Sequence, residues 1–443
     1  MSGPPSTNEA QRRESLTELY QLVTAAVYHA DGLWGEATFD LYLRELPPHV
    51  GYAICAGIEE AVTAVLDASI DDETIDFLQG LPEFSRVSEI FFDSLRHMRF
   101  HGDIWALPEG TPVFANEPIL RITAPLGQCA LMESALIQRI AFGSSVATRA
   151  ARLVEAAGGH EVFDFSARRW SCPEAARAAA RAAYIGGITN TSNVQAAGTH
   201  AIQPIGALSG TFLAVYREEH RALEAMRVHF PDGLQLAIGD EDPRKAVARY
   251  RDAREMPATL TLGERNLEQR ARLCRQALDA NGMGKVSILA SGGLDELRIA
   301  QLVKAELPID KYAVGTALVR GIDELGARFV FRIAEMTRGV RMEPMNAPTA
   351  SVYPGRKQVI RYPHRDVVCL EHEAERLARV GGVALLHHVV DQGVRVGAPA
   401  PLVVARGLRA AGVEFLPPSS KRLRDPKPFD VNISGGVQAL QGR

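Results

Sequence analysis

The sequence predicts an α/β protein: an α+β N-terminal domain, then an irregular α/β barrel, then an appended C-terminal segment. Three observations carry this. Six short β-like runs (161–166, 200–206, 234–239, 258–263, 286–293 and 311–318) alternate with helical patterns such as Cys172–Ala183 and Leu267–Asn281. Repeated βα units of this size build a parallel sheet that closes into a barrel, with its site at the C-terminal strand ends. Before residue 125, helices and short strands bounded by Pro and Gly alternate without that rhythm. The chain has 443 residues, 46% hydrophobic and 23% charged, an ordinary globular composition for two or three domains.

Taken in order, residues 1–14 are polar and read as a disordered tail. The N-terminal domain spans 15–125. It opens with a helix from Ser15 to about Ala30, in which Leu19, Tyr20 and Leu22 recur at helical spacing. Phe39, Leu41 and Leu43 alternate with Asp40 and Tyr42 as in a half-buried strand, ended by Pro47–Pro48. Residues 53–100 read as broken helices, and 101–124 as short strands. The barrel domain spans 126–339. Pro125-Leu126-Gly127 leads into an apolar helix to about Ala141, followed by a second helix to Ala157. The C-terminal segment, 340–443, is Pro-rich and shows little periodicity before a helix at Glu371–Val380.

Lys plus Arg number 49 and Asp plus Glu 53, a net charge of −4. This gives no support for nucleic-acid binding, which calls for a basic domain. Five widely spaced cysteines without a CxxC pair argue against a disulfide framework or a zinc site, and fit a reducing cytoplasm. No apolar run is long enough for a membrane span, and the N-terminus lacks the apolar stretch of a signal peptide.

The strand ends hold the candidate chemistry. Ser291-Gly292-Gly293 and Gly315-Thr316 end two successive strands with small-residue turns. Such a pair at the last strands of a βα barrel suits a phosphate, because glycine lets backbone N–H groups approach the anion. Taken singly, each glycine could simply tighten its turn. Asp164-Phe165 precedes Arg168-Arg169, a pair able to hold a carboxylate or phosphate, or to form a surface ion cluster. Thr191-Ser192-Asn193 suits phosphate or ribose contacts, or a helix cap. Asp240-Glu241-Asp242 reads as a solvated loop or a water-mediated Mg²⁺ site. Cys172, beside the two arginines, reads as a small buried residue or a nucleophile. His200 and His220 lie near barrel segments without a ligand partner at metal spacing, and His387–His388, outside the barrel, reads as structural, so no metal ligand is assigned.

Together these residues resemble the nicotinate phosphoribosyltransferase family from about residue 15 to 435. The resemblance rests on Glu18-Leu-Tyr-Gln-Leu22, Gly102-Asp103, PEGTPVFANEPILR (108–121), Asp164-Phe165 with Arg168-Arg169, and Arg181-Ala-Ala-Tyr-Ile-Gly-Gly187 with Thr191-Ser-Asn193. It continues through Ala290-Ser-Gly292, Leu294-Asp-Glu296, Pro308-Ile-Asp310, Val314-Gly-Thr316 and Pro354-Gly-Arg-Lys-Gln-Val359. It implies a type II phosphoribosyltransferase barrel, with the α+β N-terminal domain completed by the C-terminal segments. It implies transfer of a phosphoribosyl group from 5-phosphoribosyl pyrophosphate to a pyridine base with Mg²⁺, in active sites shared across a head-to-tail homodimer. By this likeness Tyr20 of one protomer stacks on the base in its partner, Arg168 and Arg169 face the carboxylate or phosphates, and the glycine turns cradle the 5′-phosphate.

Departures from the family pattern are concentrated in the pyrophosphate and ribose shell. Gly-Thr-x-Ala-His-Ser, whose His is phosphorylated by ATP, is replaced by Gly206-Ala-Leu-Ser209-Gly210-Thr211, so no ATP dependence is expected. Ser209 remains a candidate substrate contact. Asp-Thr-Tyr-Asp becomes Ala237-Ile-Gly-Asp240, and Arg-x-Asp-Ser-Gly-Asp becomes Thr261-Leu-Gly-Glu264-Arg265-Asn266. Asp240 and Glu264, with Arg265, are the candidate catalytic replacements. Lost carboxylates near an oxocarbenium-like transition state weaken its stabilisation. The expectation is an ATP-independent, divergent enzyme of specialised metabolism acting on a phosphoribosyl group and a pyridine-carboxylate-type heterocycle; the alternative is a mononucleotide-binding protein without turnover.

Overall fold

The computed structural model describes residues 17–206, 210–216, 219–230, 235–239, 242–252, 258–320, 322–339, 341–345 and 353–441. Its chain divides into two compact units, one formed by 1–144, 323–422 and 426–443, the other by 145–322 and 423–425.

The first unit is built on a mixed-order antiparallel sheet. The strand Glu36–Leu43 lies between Pro118–Pro125 and Phe329–Arg338, with Leu41 opposite both Leu120 and Phe331. Asp103–Ala106 and His387–Asp391 extend the sheet on the far side of Pro118–Pro125. The expected alternation of Glu36–Leu43 is not what forms: Asp40, Leu41, Tyr42 and Leu43 are all buried. A central strand covered on both faces has no solvent side, and Asp40 is accommodated there by Lys357 Nζ at 2.6 Å. One apolar core runs beneath the sheet, from Leu22 and Phe92 to Ile122, Leu136 and Val390.

Two expectations need correction. The helix Leu126–Ala156 is continuous over 31 residues, without a break near Ala141. Gly143 and Ser144 serve as a contact surface instead. A Cβ on Gly143 would lie 2.8 Å from Gly57 N, and Ser144 Oγ accepts the Ala56 N–H at 3.1 Å. The C-terminal region is also ordered well before Glu371. Lys357–Tyr362 and Arg365–Leu370 form a hairpin, Asp430–Ile433 joins it in parallel, and Leu402–Phe415 is a 14-residue helix.

The second unit carries a seven-stranded parallel sheet. Its order is Gln203–Pro204, Asn190–Thr191, Glu161–Asp164, Lys311–Val314, Ser287–Ser291, Thr259–Leu262, Gln235–Gly239. Six of these strands answer the six predicted runs; Asn190–Thr191, only two residues long, was not foreseen. Among the described residues the two edge strands do not pair with each other. No helix of the described residues is long and apolar enough to cross a membrane.

Candidate active site at the strand ends of the parallel sheet

Asp164 organises the first part of the site. It ends the strand Glu161–Asp164 and is 1% exposed. Its Oδ1 accepts the Ser166 N–H at 2.7 Å, and its Oδ2 accepts the Thr191 hydroxyl at 2.8 Å. Burial pushes its carboxyl above the usual range, while the donors from Ser166 and Thr191 pull the other way. This carboxylate is therefore spent on shaping two turns. Ser166 Oγ in turn accepts the Trp170 indole N–H at 2.9 Å, and Arg169 N donates to Ser166 O at 2.7 Å. Arg168 and Arg169 project from this stiff turn, exposed, with no ion pair among the described residues. Ser166 and Trp170 were missed by the sequence reading; the signal available was a hydroxyl residue directly after the strand-end Asp.

Thr191 is buried and held by Asp164, and Ser192 N donates to Asp164 O at 2.8 Å. Of the three polar residues here, Asn193 takes the capping role: its Oδ1 accepts Ala196 N–H at 3.0 Å at the start of Val194–His200. An open cavity of about 480 Å³ lies between the two turns, lined by Trp170, Ser171, Cys172, Ser192, Asn193 and Gln195. Cys172 is exposed in this lining, not a buried filler, and its Sγ accepts the Ala175 N–H at the start of Pro173–Ile185.

Phe165 N donates to Val314 O at 2.7 Å, tying this turn to the strand Lys311–Val314. Phe165 and Ile205 pack on Phe163, Leu289 and Ala313. Gly315 follows, and a Cβ there would sit 3.1 Å from Phe165 O. Thr316 begins the short helix Thr316–Val319.

Gly292 and Gly293 both have positive φ, +92° and +59°. The residue lying over them is Glu264: a Cβ on Gly293 would be 2.5–2.7 Å from the Glu264 carboxyl group. Glu264 and Arg265 are exposed in the turn after Thr259–Leu262. Arg149 braces both glycine turns, a role the sequence reading did not find. Its Nη1 donates to Glu296 Oε1 at 2.6 Å, at the start of the helix following Gly292–Gly293, and its Nη2 donates to Arg320 O at 2.9 Å, after Thr316–Val319. Arg152 adds a 3.3 Å contact to the same Glu296 oxygen. Nothing in the spacing of an arginine within a long helix betrays a partner about 150 residues away.

Asp240 and Ser209 lie outside the described residues, as does Glu241. Asp242 caps the helix Pro243–Asp252, its carboxylate taking the Arg244 backbone N–H at 3.0 Å and the guanidinium at 2.7 Å. That pairing holds it down to about 2. Gly210 opens the helix Gly210–Val215. Tyr20 belongs to the first unit, where it is 51% exposed on the helix Leu19–Ala30. Burial of its hydroxyl, with Glu133 hydrogen-bonded to it, pushes it up to about 12. Leu19, Val23 and Val27 continue an exposed apolar stripe beside it. Among the described residues, a group of three side chains with metal-ligand spacing is Asp103, His388 and Asp391, in the first unit and not at the strand ends.

Comparison with known proteins gives a consistent answer. Residues 16–141 match the nicotinate phosphoribosyltransferase (NAPRTase) N-terminal domain. A nicotinate phosphoribosyltransferase of Mycobacterium tuberculosis is 33% identical over 92% of this chain and 89% of its own length. That of Bacillus subtilis is 31% identical over 78% and 72%. The crystal structure of human nicotinic acid phosphoribosyltransferase superimposes with a TM-score of 0.83 at 22% identity, covering 96% of this chain and 99% of that one. A nicotinate-nucleotide pyrophosphorylase from Pyrococcus furiosus follows with a TM-score of 0.73 at 20% identity, over 94% and 99%. Both share the fold, a type II phosphoribosyltransferase architecture.

Proposed function

The chain belongs to the nicotinate phosphoribosyltransferase family, and we propose that it joins a pyridine carboxylate to the phosphoribosyl group of 5-phosphoribosyl pyrophosphate without using ATP. The observation that carries this reading is the convergence, at one end of one parallel sheet, of a stiff turn bearing two arginines with no ion pair among the described residues and two glycine turns tied together by Arg149.

In this reaction the ring nitrogen attacks C1′ of the sugar. The C1′–O bond to pyrophosphate breaks, and its electron pair leaves with pyrophosphate. The Gly292–Gly293 and Gly315–Thr316 turns hold the 5′-phosphate. Arg168 and Arg169 hold the carboxylate of the base or the pyrophosphate, aligned by the Asp164 and Ser166 hydrogen bonds behind them. Alignment of this kind is worth several powers of ten in rate. Ser192 lines the cavity beside this turn, and Glu264, Arg265 and Asp240 replace the charged shell of the family pattern. The described turns offer one carboxylate without a partner, Glu264. Mg²⁺ enters as the counter-ion of the pyrophosphate substrate.

The exposed Leu19-Tyr20-Val23-Val27 stripe supports a homodimer in which Tyr20 reaches the base bound by the partner protomer. Gly210, where the family pattern has a phosphorylated His, supports independence from ATP.

The test is incubation of the protein with phosphoribosyl pyrophosphate, Mg²⁺ and a panel of pyridine carboxylates, with and without ATP, read by mass spectrometry. Mononucleotide formed at equal rates with and without ATP supports the reading. Tight mononucleotide binding with no product from any base would establish a binding protein without turnover instead.

A further inference from the structure

The turn after Ser287–Ser291 has the build of an anion seat, and the protein places one of its own carboxylates against it. Gly292 and Gly293 are consecutive residues with φ of +92° and +59°, a conformation that side chains rarely adopt. A Cβ on Gly292 would lie 3.2 Å from the Cβ and backbone N of Glu264. On Gly293 it would lie 2.5 Å from Oε1 and 2.7 Å from Oε2. The carboxylate thus rests on the very backbone face that the missing side chain leaves open. No cation and no hydrogen-bond donor among the described residues holds it there. Solvent reaches Glu264, so its side chain is free to rotate away.

We propose that Glu264 weakens anion binding at this seat: its carboxylate must swing off Gly293 before a phosphate group can take its place. This rests on the reading of Gly292–Gly293 as a phosphate turn. An anion approaching the seat meets a like charge at contact distance, which opposes binding. A bare phosphate has only the seat's own backbone groups to offset that opposition. A phosphate carried by a sugar brings further contacts at the neighbouring turns, and these drive the swing.

The experiment measures binding of inorganic phosphate by calorimetry to the wild type, Glu264→Gln and Glu264→Ala. The expected result is binding about tenfold tighter in both variants, the scale of one like-charge contact at a solvated site. Agreement between Gln and Ala shows that the gain comes from losing the charge, not from a new amide donor. Equal or weaker phosphate binding in the variants overturns the proposal. When wild-type phosphate binding is nevertheless lost in Gly293→Ala, the phosphate turn itself stands. No phosphate binding by any form overturns the proposal and the phosphate turn together.

Discussion

Asp164 and Thr191 are joined across neighbouring strands of the parallel sheet, hydroxyl to carboxylate at 2.8 Å, while the other oxygen of the same carboxylate takes the Ser166 N–H. One buried side chain thus fixes both turns that flank the open cavity. Asp164→Ala leaves a buried hydroxyl and a buried N–H without an acceptor. The expected cost is about 2–4 kcal/mol of stability, with a fall in mononucleotide formation of about a hundredfold from misplaced turns. Asp164→Asn keeps an acceptor for Ser166 and should lose less than half as much stability. Denaturant unfolding and steady-state kinetics of the two variants check this; equal losses would show that the carboxylate's charge, and not its acceptor geometry, is what the turns need.

Arg149 acts through others: it touches Glu296 and Arg320 O, not the cavity. Arg149→Met should loosen the two glycine turns relative to each other. The expected signature is a rise of about tenfold in the KM for phosphoribosyl pyrophosphate with a smaller change in the KM for the base. A uniform loss across both substrates would mark a general stability role.

Gly143 tests packing against propensity. Alanine is the better helix former by about 1 kcal/mol in a helix interior. Yet a Cβ at 143 would meet Gly57 N at 2.8 Å and Ala56 C at 2.9 Å. Gly143→Ala should therefore destabilise, by about 1–3 kcal/mol, and a thermal melt above that of the wild type would refute the close approach.

Glu117 makes stability depend on pH. It is buried beside Asp366, which pairs with Arg361 at 2.6 Å, so two carboxyls share one guanidinium. Burial, then the Asp366 charge, pushes the Glu117 carboxyl well above the usual range. The folded state therefore binds this proton more tightly than the unfolded chain. Its stabilising effect is complete below the unfolded value of about 4.3 and is lost as pH rises towards the folded value. Glu117→Gln carries no titrating proton. Its melting temperature should exceed that of the wild type at about pH 8.5 and converge with it near about pH 4. Parallel curves across that range would remove Glu117 from the pH response.

How much of this was legible follows from which residues spoke for themselves. The parallel sheet was, because buried strands such as Ser287–Ser291 and Lys311–Val314 read as short apolar runs between helices. Asn190–Thr191 is too short to carry any period. The hairpin of Lys357–Tyr362 and Arg365–Leu370 was hidden by its own charges. Lys357, Arg361 and Asp366 look like surface residues, yet Lys357 and Asp366 are buried, Lys357 in an ion pair with Asp40 and Asp366 in one with the half-buried Arg361. At the site, the arginine pair and the glycine turns were visible as local motifs. The partners that position them, Arg149 and Glu296, lie far apart in sequence and are joined only by the fold. The place of Glu264 over Gly293 is likewise a tertiary fact that neither residue's neighbours reveal.

The sheet of the first unit has a consequence for how the protein is made. Leu41 pairs with Leu120 on one side and with Phe331 on the other. At roughly 5–20 residues per second, a ribosome needs roughly 15–60 s to travel from one partner, Leu41, to the other, Phe331. Throughout that time the strand Glu36–Leu43 has one open edge, with Ala37, Phe39, Leu41 and Leu43 along one face, while the entire parallel sheet is still being synthesised. Such an edge is a template for pairing with another nascent chain. Production of this protein should therefore respond to chaperones that shield emerging chains more than to the stability of the finished fold.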